Sequence, residues 1–326
     1  MNNFLITGCA GFIGSHVCDI FLEKGHNVFG LDKLTYAGKP ENIPVQMKNY
    51  TEDICNTEAV AKICEQDSIE CIINFAAESH VDNSIKGHDS FIRSNIQGVK
   101  SLLDVCKDKG ILLVQISTDE IYGPIKDGSF HEHSPARPKN YYSATKASAE
   151  HLVFAQYNTF DSPYKMVRMS NNYGPRQHGE KFLPTILRSI KGGHKIPLYG
   201  TGENVRDWIY VEDSARAIYN IVEKAPLNEI YNISFKDEKT NNEVIKSILE
   251  RMHLNWNDHV EYVPDRLGHD FRYSITNDKM LEYINFEQTP FSLGLKRQLR
   301  NIYEGFTNRS HGLLRKEFKK ESIFIT

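Results

Sequence analysis

Asn3-Phe4-Leu5-Ile6-Thr7-Gly8-Cys9-Ala10-Gly11-Phe12-Ile13-Gly14 decides the fold. Five strand-forming residues run straight into a Gly-x-x-Gly-x-x-Gly spacing, and residues 15–24 then read as a helix. Glycines at such a junction let the backbone turn tightly, approach a pyrophosphate closely and pack the helix on the sheet, with the helix N-terminus facing the phosphates. The spacing alone is weak, since any tight turn uses glycine. Its context is strong: a second strand, 27–31, follows and ends in Asp32, an acid about 20 residues on that suits the ribose hydroxyls of an adenine dinucleotide. Gly8, Gly11 and Gly14 are therefore expected to cradle the phosphates. Lys33 could in principle receive a 2′-phosphate, but Asp32 favours NAD over NADP.

Working outward, Asp53 and Ile54 stand where such folds hold the adenine edge. A strand over 70–75 delivers Ala76-Ala77-Glu78-Ser79-His80, small residues that admit a cofactor followed by two that could face a substrate, His80 being more safely read as structural. A helix over 91–107 carries Ser94 and Asn95 near its start, and the apolar run Ile111-Leu112-Leu113-Val114-Gln115-Ile116-Ser117 is too short for a helix. This alternation predicts an α/β fold with a doubly wound parallel sheet.

That last strand ends in Thr118-Asp119-Glu120-Ile121-Tyr122-Gly123, and ligands of open α/β sheets bind at the carboxyl ends of strands. Tyr142-Ser143-Ala144-Thr145-Lys146 opens a predicted helix, 142–160, whose four-residue spacing puts Tyr142 and Lys146 on one face. A phenol with a pKa near ~10 is a poor base, but an ammonium beside it favours the phenolate. Two carboxyls, a hydroxyl and a tunable phenol are more than simple alcohol oxidation requires.

Beyond a strand over 164–169, regularity falls, and the organisation changes near Asn171. Val205-Arg206-Asp207-Trp208-Ile209-Tyr210 leads to a helix, 214–224, that returns to the first domain; another helix spans 241–252, and a polar loop 263–273. The expected division is a dinucleotide-binding domain of 1–170 plus about 205–235, and a smaller α/β domain of 171–204 with 236–326. The tail after Phe306 reads as a solvated helix or frayed end.

The 326 residues carry a formal charge of −3, with no basic block interleaved with aromatics, so nucleic acid is not an expected partner. No signal-peptide pattern and no run of roughly 18 apolar residues is present, which predicts a cytoplasmic protein without a membrane span. The six cysteines lack Cys-x-x-Cys spacing and read as free thiols, with no metal site.

Thr7-Gly8-x-x-Gly11-x-x-Gly14 with Tyr142-x-x-x-Lys146 resembles the extended short-chain dehydrogenase/reductase superfamily. Thr118-Asp119-Glu120 narrows the likeness to the nucleotide-sugar 4,6-dehydratases, nearest their dTDP-glucose branch. Asp32-Lys33-Leu34-Thr35-Tyr36-Ala37-Gly38, Ala77-Glu78-Ser79-His80-Val81-Asp82, Ser170-Asn171-Asn172-Tyr173-Gly174-Pro175, Arg206-Asp207-Trp208 and Gly268-His269-Asp270-x-Arg272-Tyr273 also look like this family. The resemblance implies a hydro-lyase of deoxysugar biosynthesis. Tyr142 would take the proton of the sugar 4-hydroxyl as hydride passes from C4 to NAD, and Lys146 would hold the nicotinamide ribose. Glu120 would then remove the C5 proton, protonated Asp119 would donate to the departing 6-hydroxyl, and Thr118 would hydrogen-bond the 4-oxygen. Hydride returns to C6, so NAD acts as a tightly held prosthetic group. Adjacent acids suit this division, because two carboxyls near one sugar split their pKa values.

The same resemblance implies cofactor contacts from Phe12, Ile13, Lys33, Leu34, Thr35, Asp53, Ile54, Ala76, Ala77, Ser79, Ser94 and Asn172. For the nucleotide sugar it implies Arg206 and Arg266 on the diphosphate. Ser79, Thr118, Asn171, Lys181, Phe182, Leu183, Pro184, Pro197, Leu198, Tyr199, Asn241 and His269 complete the substrate set. Helices 89–107 and 142–160 resemble those of a four-helix dimer bundle, which implies a homodimer. There are departures: Cys9 stands where the family usually has Gly, the loop from Gly123 to Tyr142 is short, and Arg176-Gln177-His178-Gly179 replaces the usual Tyr-His-Phe-Pro. They leave GDP- or UDP-linked glucose or N-acetylglucosamine open as substrates. An epimerase or ketoreductase, or a non-catalytic NAD-binding protein, is the competing reading.

Overall fold

The computed structural model describes residues 3–266 and 268–307, with side chains to residue 300. Its strands in chain order begin with β1 (Asn3–Thr7), β2 (Asn27–Leu31), β3 (Lys48–Tyr50), β4 (Cys71–Asn74), β5 (Leu112–Thr118) and β6 (Tyr164–Met169). There follow β7 (Asn171–Tyr173), β8 (Ile196–Tyr199), β9 (Val205–Tyr210), β10 (Glu229–Ile233), β11 (Glu238–Thr240) and β12 (Val260–Val263). Seven of these form one parallel sheet in the order β10-β6-β5-β4-β1-β2-β3. The order reverses between β4 and β1, and that switch point opens a crevice at the carboxyl ends of the strands.

Alternation along each strand builds a core on both faces of the sheet. Phe4 and Ile6 of β1 pack with Val17 and Phe21 of helix Phe12–Glu23 and with Ile218 and Ile221 of helix Val211–Lys224. Leu5, between them, faces Val60, Leu102 and Val153 from helices Thr57–Gln66, Gly98–Lys109 and Tyr141–Phe160. The sheet is thus doubly wound, as expected. A third apolar cluster, including Tyr173, Leu183, Ile186, Trp208, Val244 and Ile248, supports the smaller C-terminal half, where β11-β9-β7 and β12-β8 form two small sheets.

Several boundaries differ from the expected ones. Strand β9 pairs with β7 and β11 instead of the large sheet, so the chain returns to the large sheet only with helix Val211–Lys224 and β10. The helix expected over 91–107 is composite: a short turn, Asp89–Phe91, then a π-helical stretch, Ile92–Gln97, then Gly98–Lys109. Side-chain periodicity does not announce a π turn; here it lets Ser94 line the crevice while Asn95 reaches the β4 loop. Helix Phe12–Glu23 starts three residues early because extended Gly11 serves as its N-cap. The last helix, Phe291–Thr307, reaches the end of the described residues, and the charged tail from 308 lies outside them. Every cysteine is free, and all but Cys55 are buried. Among the described residues no helix is long and apolar enough to cross a membrane.

Candidate active site

One continuous cleft runs along the carboxyl edge of the sheet, and the glycine loop forms its floor. Gly8 is left-handed at φ +67°, and a Cβ there would lie 2.8 Å from the Ala76 nitrogen and the Phe75 carbonyl carbon. A Cβ on Gly14 would collide with the Gly8 carbonyl oxygen, so both positions require glycine for backbone-to-backbone approach. Cys9, the departure from the family pattern, is accommodated because Gly30 faces it: Cys9 Sγ donates to Asn49 Oδ1 at 3.0 Å in space that a Gly30 side chain would fill.

Asp32 sits at the end of β2, accepting from Ala10 N at 3.0 Å and Leu34 N at 2.8 Å, and so ties the glycine loop to the next strand end. Lys33 donates to Ser94 Oγ at 3.1 Å and pairs with Asp53 at 3.6 Å. Its charge is thereby engaged, which favours the cofactor without a 2′-phosphate. Phe12, Ile13, Thr35, Ile54, Ala76, Ala77, Ser79 and Asn172 also line the cleft. Leu34 does not; it holds a left-handed turn at φ 55°. His80 accepts from Asn83 N at 3.4 Å as the N-cap of helix Val81–Lys86, and lies 3.8 Å from Glu180.

At the other end β5 delivers Thr118, Asp119 and Glu120 beside Tyr142 and Lys146, all five lining the same cleft. Asp119 is 3% exposed, with Oδ1 accepting from Thr118 Oγ1 at 3.3 Å and Oδ2 buried without a hydrogen-bond partner. Burial, and then the neighbouring charge of Glu120, pushes its pKa up to about 7. Glu120 is only partly buried and accepts from Asn140 Nδ2 at 3.3 Å. The two acids of one dipeptide therefore face different environments, the condition for one to donate and the other to accept.

Tyr142 departs from expectation. Burial and the charge of Glu120 raise its phenol well above the usual value, with only the Thr118 hydroxyl bond and no Lys146 charge opposing them. The reason is direction: Lys146 Nζ donates to Ile116 O of β5 at 2.5 Å. Burial draws the Lys146 ammonium down to about 8 against the pull of Glu150.

The substrate positions expected farther out divide. Lys181 lines the cleft and donates to Ser79 O at 2.9 Å, and Asn171 lines it too. Arg206 is anchored on the carbonyls of Val205, Phe271 and Asp270 and stacks 4.4 Å over Tyr273. Arg266 lies 3.5 Å from Asp82. Burial lowers the pKa of His269, Lys181 and Arg206; the charge of Arg266 adds to it at His269, while at Lys181 and Arg206 the opposing pull of Glu120 is larger than the push of Arg266. Phe182 packs against Trp208 at 6.0 Å; Pro184, Pro197 and Asn241 are partly buried, and Tyr199 is exposed. Leu183 and Leu198 are corrections: both are 0% exposed in the third apolar cluster, so their side chains are core and only their backbone is left for a ligand.

Sequence reading missed several groups. Asn95 clamps Glu78 through both amide ends and donates to Thr145 at 2.9 Å. Gln177 and His178 line the cleft from the loop that departs from the family pattern, and Glu180 lines it just after that loop. Asn140, two residues before the predicted helix, went unremarked and proves to be the N-cap of helix Tyr141–Phe160. Only the fold carries Glu120 to it.

The buried acceptors Asn172 Oδ1 and Gln177 Oε1 lack partners, and with the glycine floor and Asp32 they fit a dinucleotide carrying a carboxamide. Fold and cleft together define a short-chain nicotinamide-dinucleotide enzyme with added acid–base equipment. The family model described as "NAD dependent epimerase/dehydratase family" matches residues 4–234, and the chain belongs to that family. NAD is its cofactor. The low-salt glycan biosynthesis protein Agl12 of Haloferax volcanii is 43% identical over 282 residues, covering 84% of this chain and 90% of that protein. A dTDP-glucose 4,6-dehydratase of Streptomyces griseus is 38% identical over 294 residues, covering 87% and 88%. The crystal structure of a dTDP-glucose 4,6-dehydratase from Streptomyces venezuelae with NAD bound matches with a TM-score of 0.89 at 37% identity, over 93% of this chain and 97% of that one.

Proposed function

We propose that this protein is an NAD-dependent nucleotide-sugar 4,6-dehydratase, a cytoplasmic hydro-lyase that converts dTDP-glucose to its 4-keto-6-deoxy product. The observation that carries this reading is the pairing of a deeply buried Asp119, pushed up to about 7, with a partly exposed Glu120 on the same cleft as Tyr142.

Bound NAD supplies the hydride acceptor at C4 and the hydride returned to C6. The chain supplies the proton transfers. Tyr142 would take the 4-hydroxyl proton as its phenolate, a form that burial and the Glu120 charge oppose and that the Thr118 hydroxyl bond supports. Lys146 fixes the cofactor ribose. With C4 a ketone, the C5 proton is acidic and Glu120 removes it, while Asp119 protonates the departing 6-hydroxyl. The electron pair from the C5–H bond forms the C5–C6 double bond as the C6–O bond breaks, and water leaves. Lys181, Arg206 and Arg266 support diphosphate binding as cations, the two guanidinium groups being suited to bidentate contact. The cofactor rests mainly on residues 1–170, with Asn172 and Gln177 reaching it from beyond, and the nucleotide mainly on the remainder.

The first experiment is to incubate the protein with dTDP-, UDP- and GDP-linked glucose and N-acetylglucosamine and look for loss of water by mass spectrometry. Loss from dTDP-glucose is expected; conversion to dTDP-galactose without loss of water would make it an epimerase. Tyr142→Phe should block reduction of bound NAD by substrate. Glu120→Gln should permit that reduction and abolish exchange of the C5 proton with solvent deuterium.

We also propose a homodimer. Ile85, Ile92 and Tyr141 are 41%, 38% and 50% exposed on adjoining helices, with His88 stacked 4.4 Å from Tyr141. This apolar surface suits a second copy of the chain.

A further inference from the structure

Glu120 has to act as a base from a half-buried position, where an unrestrained carboxylate would rotate. What restrains it is Asn140, whose Nδ2 donates to Glu120 Oε2 at 3.3 Å. The same side chain begins helix Tyr141–Phe160. Its Oδ1 accepts from Ser143 N at 2.8 Å, and Ser143 Oγ completes the capping box by accepting from Asn140 N at 3.3 Å. An N-cap must present an acceptor to the helix amides, so the cap decides which way round the Asn140 amide sits. Its oxygen is committed to Ser143, and its nitrogen is left for Glu120. A flipped amide would set N–H against N–H at the cap and oxygen against carboxylate at the other end.

The cap alone does not call for asparagine. Serine and aspartate cap equally well, and neither also presents an N–H donor; asparagine carries acceptor and donor on one planar group. We propose that Asn140 is a positioning residue for C5 proton abstraction: the side chain that starts the Tyr142 helix also aims the Glu120 carboxylate. The phenol that acts at C4 and the base that acts at C5 then belong to one rigid unit, with a single amide setting their separation.

This inference rests on the dehydratase reading, and the test separates the two. Wild-type protein that removes no water from dTDP-glucose would overturn the reading itself. Given wild-type dehydration, Asn140→Ser keeps the cap and loses the donor. It should reduce bound NAD on mixing with dTDP-glucose within about 2-fold of the wild-type rate, while solvent deuterium enters C5 roughly 10-fold more slowly. Asn140→Asp keeps the cap but sets a carboxylate against Glu120, so the acid limb of C5 exchange should move to higher pH. Should Asn140→Ser slow both steps alike or neither, or Asn140→Asp leave the acid limb in place, Asn140 is a helix cap and nothing more.

Discussion

At the scale of single residues, Asp119 makes the sharpest predictions. Its carboxyl, pushed up to about 7, is protonated in slightly acid solution and loses its proton as the pH passes that value. Dehydration should therefore decline on the alkaline side of about pH 7, measured as water loss under single-turnover conditions. Asp119→Asn cannot donate a proton, and should lower elimination by ~10²-fold while reduction of bound NAD and C5 exchange persist. The same shift affects stability. Because the folded-state value lies above the ordinary 3.8, the unfolded chain ionises first, and folding stability falls as the pH rises from 3.8 to about 7. Urea midpoints across that window should show the decline in the wild type and a smaller one in Asp119→Asn.

At the scale of the element, helix Tyr141–Phe160 carries Tyr142, Lys146 and Glu150 at successive four-residue steps, and the third is held from behind. Arg168 of β6 donates to Glu150 from Nε at 3.1 and 3.2 Å and from Nη2 at 2.6 Å, and from Nη1 to Tyr122 OH at 2.6 Å. Both side chains of the ion pair are at most 5% exposed. Removing one partner strands a buried charge, so Arg168→Met should cost about 3–5 kcal/mol in urea unfolding. The double variant Glu150→Gln/Arg168→Met should recover most of that loss, because replacing a whole buried pair is far less costly than breaking it. The Tyr-Lys spacing was legible in the sequence. Its bracing was not, since Glu150 and Arg168 lie on separate elements that meet only when the helix packs on β6.

At the scale of the whole molecule, the two halves meet across the cleft through Lys181 on Ser79 O, His80 near Glu180, and Arg266 near Asp82. The site is completed where residues from both halves of the chain face each other. The proposed dimer belongs to this scale as well. Sedimentation should give a dimer for the wild type and a monomer for Ile85→Glu/Ile92→Glu, since two desolvated carboxylates in an apolar interface are costly. A dimer that survives the double substitution would remove this surface as the interface.

The sequence by itself determined the class of fold and most of the chemistry, because both are carried by short-range patterns. Apolar runs of strand length alternating with helices dictate a parallel sheet, glycines are required where backbone meets backbone, and consecutive residues such as Asp119 and Glu120 must share one strand end. Tertiary structure alone decided what those groups experience. That Lys146 bonds to Ile116 O, that Leu183 and Leu198 are core, that β9 leaves the large sheet, and that Asn140 reaches Glu120 all depend on elements distant in sequence coming together. Burial and charge proximity, which push the Asp119 carboxyl up to about 7, are properties of that assembled neighbourhood.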